Sequence, residues 1–138
     1  MELLIAAAIF LIAIAALFWA SFSQRTLNEH SRNLSWAIND ASRVIERLRQ
    51  QNRGSGCATP SAAWPAGSTS WDNWLDTAGG GKSLPVGAGE VVAVNPSGGP
   101  DPIQVTVAVC WQHRSRQIGT CAAFTSPAML TTTITCRG

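Results

Sequence analysis

The chain has 138 residues, room for one ordinary domain or for a small domain with an anchor. Charged residues make up 13% of it, about half the usual share, and the shortage is local: residues 3–20 carry no charge, while the remainder is ordinarily polar. The net charge is +2, and from residue 54 onward Lys82, Arg114, Arg116 and Arg137 balance Asp72, Asp76, Glu90 and Asp101, which excludes the general electrostatic footprint of a nucleic-acid-binding domain.

Residues 3–20 read LLIAAAIFLIAIAALFWA. The run holds no Gly or Pro to stop a helix, and it is just long enough to cross a bilayer core of ~30 Å at ~1.5 Å per residue. Trp19 stands where an interfacial aromatic would. Three readings compete. A cleaved secretory signal has a basic start and a shorter apolar core; here the acid Glu2 precedes the run and no Lys or Arg does. A plain membrane anchor accounts for the length but not for Glu2. An assembly helix that leaves the bilayer to pack against copies of itself accounts for both. A carboxylate at the lip of an apolar helix is costly to bury unless paired, and it gains from the helix dipole at an N-terminus. A neighbouring subunit's N-terminal amine would pair it; alternatively, Glu2 stays in the headgroup region. Arg25 and Arg32 follow the run, so the positive-inside rule places the rest of the chain in the cytoplasm. A short basic leader ahead of Met1 would reverse that orientation.

The helix is expected to continue to about residue 51. Leu27, Ser31, Leu34, Ile38, Ala41, Ile45 and Leu48 step by four and three along one face, while Arg32, Asn39, Asp40, Arg43, Glu46, Arg47 and Arg49 lie off it. Gly54 and Gly56 supply the stop. Such a stripe serves a coiled coil or packs on a sheet; with Ser31 breaking a short heptad run, packing on the strands that follow is preferred. Three parts result: residues 1–20 as the transmembrane and assembly half of the helix, residues 21–53 as its amphipathic half, and residues 54–138 as a β head.

In the head, residues 54–67 are loop-like. Ser70 caps a short helix, SWDNWLDTA, closed by Gly79, Gly80 and Gly81. Trp71, Trp74 and Leu75 form its apolar face, with Trp64 as a further candidate; core packing is the ordinary role of such a cluster, and a carbohydrate platform is the alternative. Strands are expected at residues 90–94, 103–111 and 129–136. In the second, Ile103, Val105, Val107, Val109 and Trp111 alternate onto one face. Residues 95–102 form a Pro/Gly turn and residues 112–127 a longer loop. The fold class is therefore α+β: a long N-terminal helix packed on a small antiparallel sheet of three or four strands.

The four cysteines, Cys57, Cys110, Cys121 and Cys136, all lie in the head and form no CxxC. That usage reads as two disulfides in an oxidising compartment; four free thiols are the alternative, and the spacing disfavours zinc. Three pairings are open. The preferred one joins Cys110 to Cys121, pinning the loop between them, and Cys57 to Cys136, closing the outermost loop.

No enzyme signature is present. His30 and His113 are the only histidines, and neither enters a catalytic or metal-binding spacing. The expectation is no enzyme, no cofactor and no metal. One candidate surface contact patch remains, Trp111, His113, Arg114 and Arg116; an aromatic beside two Arg suits single-stranded nucleic acid, and a solvated loop is the ordinary alternative.

The segment ELLIAAAIFLIAIAAL at residues 2–17 resembles the N-terminal motif of type IV pilins and type II secretion pseudopilins. ASRVIERLRQQNRGSGC, the Trp-containing short helix, LPVGAGEV and IQVTVAVCWQ look most like PilV-type minor pilins. The resemblance implies a basic leader cut after a Gly by a prepilin peptidase, N-methylation of the new first residue, and a Glu, matched here by Glu2, that registers the subunit in a growing filament. It implies a head in the periplasm, anchored in the inner membrane, and then a place in the pilus, with major and minor pilins and the assembly machinery as partners. The leader is not in the sequence, and residues 19–25 lack the Pro that often kinks this helix in the family. The function expected is that of a minor pilin acting in initiation of assembly. The alternatives are a minor pseudopilin of a type II secretion system and, from another class, a membrane-anchored periplasmic binding domain.

Overall fold

The computed structural model describes residues 1–52, 67–96 and 102–135. It contains a helix α1 (Glu2–Gln51), a short helix α2 (Trp71–Asp76), strands β1 (Val91–Pro96), β2 (Ile103–His113), β3 (Arg116–Ile118) and β4 (Ala128–Ile134), and a 3₁₀ turn at Cys121–Ala123. The chain divides into two units, Met1–Asn33 and Leu34–Gly138.

The first unit is wholly helical. Ala, Leu and Ile propagate the helix, and no Gly or Pro interrupts it over the 50 residues of α1. Beyond the apolar run, Ser21 and Thr26 turn their hydroxyls back onto the carbonyls of Leu17 and Phe22 at 2.9 and 3.1 Å, so these polar side chains need no outside partner. The helix ends where Asn52 donates both its main-chain N–H and its Nδ2 to the Leu48 carbonyl.

The second unit holds the core. β2 is the centre of a four-stranded antiparallel sheet, with β1 on one side (Val92 opposite Val109) and β4 on the other (Val107 opposite Leu130). Its alternating residues Ile103, Val105, Val107, Val109 and Trp111 are all buried. The helical face that covers them is Ala37, Ala41, Val44, Ile45 and Leu48, joined by Trp71, Trp74 and Leu75 from α2. The Trp pair packs edge to face with ring centroids 5.6 Å apart, as its quadrupoles favour. The expected sheet cover and the expected Trp packing are thus both present.

Four features differ from the sequence reading. β4 is Ala128–Ile134, where residues 129–136 were expected. β1 starts one residue later and runs on through Pro96, which an edge strand tolerates. Residues 112–127 are not one loop: β2 continues to His113 and turns through Arg114–Ser115 into β3, with Gln112 opposite Gln117. The buried face of α1 is also rotated. Ile38, expected on it, is 37% exposed, whereas Asp40, expected off it, is 0% exposed.

α2 is capped as its sequence requires. The Ser70 Oγ accepts from the Asn73 N–H at 3.0 Å. At the other end the Gly79 and Gly81 N–H groups close onto the Trp74 and Leu75 carbonyls. A Cβ at Gly79 would lie 2.7 Å from the Leu75 Cα, so no larger residue fits this turn.

Leu48→Ala removes a side chain that is 1% exposed and is expected to lower head stability by about 2–5 kcal/mol. The readout is the urea midpoint of the full chain in detergent micelles. Leu27→Ala, on the same sequence stripe but solvent-exposed, should leave that midpoint unchanged.

Candidate functional site

The first unit presents an exposed apolar surface among the described residues. Leu3, Leu4, Ile9, Phe10, Leu17, Phe18 and Trp19 are all exposed, and the helix is long and apolar enough to cross a membrane. Exposed apolar surface of this extent marks contact with lipid or with another chain. Glu2 sits in the first turn of α1, where the N–H dipoles favour an anion.

The second unit carries a polar cluster that the sequence pattern did not single out. Asp40 accepts at Oδ1 from Arg43 (2.7 Å) and from the Ser83 hydroxyl (2.6 Å), and at Oδ2 from the Ser83 N–H (2.7 Å). Arg43 also donates to the carbonyls of Gly79 and Gly81. Glu90 is 6% exposed and accepts from the Leu84 N–H at 3.4 Å. Lys82 bridges the Asp72 carboxylate and the Glu90 main-chain carbonyl, both at 2.9 Å, and Asp72 in turn caps the Val92 N–H on the edge of β1. Burial, then the adjacent charge and hydrogen bond of Asp40, push the Glu90 carboxyl up from 4.5 to about 7; the Leu84 N–H and Lys82 oppose the shift. The missed signal was spacing: Asn33, Ala37, Asp40, Ala41, Val44 and Leu48 share a helix face, and Arg43 stands three residues from Asp40 to satisfy it.

Of the cysteines, Cys110 and Cys121 are joined, with Cα atoms 5.8 Å apart. The bond holds the 3₁₀ turn over the reverse face of β2, which is why Ala108 and Cys110 are buried as well as the core-facing residues. Cys57 and Cys136, and Trp64, lie outside the described residues.

The candidate contact patch is changed. Trp111 is 1% exposed and belongs to the core, so it offers no stacking surface; its position in the alternation of β2 is the reason. Arg114 and Arg116 are exposed and His113 is half-buried at the end of the β2–β3 hairpin. Arg114 and Ser115 both have positive φ, 49° and 65°, the conformation that a tight two-residue turn imposes and that Gly adopts more easily. Among the described residues, no group of three or more His, Cys, Asp or Glu is placed to hold a metal ion. The surface depressions are open grooves, such as the ~400 Å³ one lined by Arg43, Arg47 and Trp74.

No protein-family model matches the chain, and neither a curated protein nor a solved structure matches it.

Two outcomes are expected. Replacing Cys110 and Cys121 by Ser should lower stability by about 2–4 kcal/mol, because the closed loop no longer restricts the unfolded chain; thermal melting with and without reductant checks this. Ser115→Gly should raise stability by about 1 kcal/mol by relieving the positive-φ cost, read in the same melts.

Proposed function

We propose that this chain is a minor pilin of a type IV pilus. It waits in the inner membrane with its head in the periplasm, and it enters the filament during initiation of assembly. The carrying observation is the unbroken 50-residue α1, whose apolar start is exposed among the described residues and opens on Glu2. A cytosolic globular domain would bury such a surface. A bilayer covers it in the membrane, and the matching helices of other subunits cover it in a filament. The two solvents make the same demand on residues 3–20, so one sequence serves both.

The rest of the reading follows from division of labour. The lower half of α1 is committed to the sheet through Ala37, Ala41, Val44 and Leu48, leaving only the upper half for other partners. The disulfide suits a head on the oxidising side of the membrane. The chemistry proposed is assembly: Glu2 pairs a neighbouring subunit's N-terminal amine inside an apolar helix bundle, where an unpaired carboxylate is costly.

Glu2→Ala should leave membrane insertion intact and reduce the subunit in sheared filaments by about tenfold or more, the equivalent of one charge-assisted hydrogen bond. Quantitative immunoblotting of membrane and sheared fractions measures both. Equal amounts of mutant and wild-type chain in the filaments would remove Glu2 from the mechanism. Deleting the gene separates the classes: lost piliation supports the pilin, lost protein secretion with normal pili the pseudopilin, and lost ligand binding alone a membrane-anchored binding domain.

A further inference from the structure

Two carboxylates from different parts of the chain converge on adjacent residues of the second unit, Asp40 on Ser83 and Glu90 on the Leu84 N–H. Asp40 comes from α1, and Glu90 immediately precedes β1. Asp40 takes Arg43 and the Ser83 hydroxyl on Oδ1 and the Ser83 N–H on Oδ2, which leaves Oδ2 able to accept one more donor. Glu90 is less engaged. Its Oε2 takes one long bond from Leu84, and its buried Oε1 has no hydrogen-bond partner. Nor do the neighbouring cations neutralise it. Arg43 is occupied by Asp40 and by the carbonyls of Gly79 and Gly81, and Lys82 bonds the Asp72 carboxylate and the Glu90 main-chain carbonyl. Two ionised carboxylates buried side by side repel; a single proton between them removes the repulsion and supplies the missing donor.

We propose that a proton carried by the buried Glu90 carboxyl fastens a pH-sensitive latch between α1 and residues 79–84, which loosens when the proton leaves to water. The groups facing the pair are Asp40 and Arg43 from α1, Lys82 and the Leu84 N–H from the segment itself, and Asp72 of α2 through Lys82. What the latch governs is the segment leading to Pro85 and Val86, an exposed apolar tip. Burial and Asp40 raise the Glu90 carboxyl from 4.5 to about 7 when the latch is closed; in the open form it faces water and returns to its ordinary value. The closed form therefore binds more protons between these two values. It weakens as the pH rises from 4.5 to about 7, by up to about tenfold per pH unit, and changes little above that.

Hydrogen exchange on the full chain in detergent micelles, corrected for the intrinsic pH dependence of exchange, reads the latch directly. Protection of the Ser83 and Leu84 amides should fall by about tenfold or more across that window, with Val107 in the sheet unaffected. In Glu90→Gln the dependence should vanish, because the amide carries no titrating proton. The carboxyl carbon resonance of Glu90 in the unsubstituted chain supplies a second measurement that no folding defect can obscure, and its midpoint should lie near 7. A Glu90 midpoint at the ordinary carboxylate value, or unchanged pH dependence in Glu90→Gln, would overturn the latch.

Discussion

An unbroken helix has to satisfy two environments with one geometry. α1 offers hydrocarbon-like surface at its start and a narrow buried face further on. The rest of the second unit depends on that later face. Ala37, Ala41, Val44 and Leu48 share one buried cluster with the core residues of β2. Asp40 is fully buried on the same helix, and Arg43 and Ser83 surround it with donors. Apolar packing thus supplies area, and the Asp40 bonds to Ser83 and Arg43 fix which part of the head meets which turn of the helix. The buried charge contributes position more than net stability, since desolvation offsets much of its attraction.

The head's other parts serve the same sheet. Asp72 blunts the exposed edge of β1 by bonding the Val92 N–H, a guard against unwanted strand pairing. The Cys110–Cys121 bond holds the 3₁₀ turn Cys121–Ala123 over the reverse face of β2. A small domain with limited core gains from both devices. The head is therefore built to be held together from within, while the exposed apolar start of α1 is left for something else. That asymmetry is the physical basis for the proposed role in membrane and filament.

Much of this was legible from residue patterns. The alternation from Ile103 to Trp111 located β2 and its core face, the cap at Ser70 and the glycines after Thr77 located α2, and the absence of breakers located α1. The hairpin strand β3 was missed because Arg116–Gln117–Ile118 is short and polar, and only pairing with β2 makes it a strand. Trp111 entered the surface patch through its neighbours in sequence, although its own alternation placed it inside. Asp40 was placed off the buried stripe because the four-and-three stepping from Leu27 to Leu48 passes it by. Its burial depends on the two Ser83 donors, 43 positions away along the chain, a separation no local pattern reports. The Asp40–Glu90 pair was invisible for the same reason.

The central claim is that residues 3–20 exchange lipid for protein when the subunit enters a filament. A photo-crosslinking amino acid at Phe10, which is exposed on the first unit, tests it in intact cells. Irradiation should yield lipid adducts in the inner-membrane pool and crosslinks to other pilin subunits in sheared filaments. Lipid adducts in the membrane with no protein crosslinks from any filament fraction would contradict the account and leave α1 as a permanent anchor.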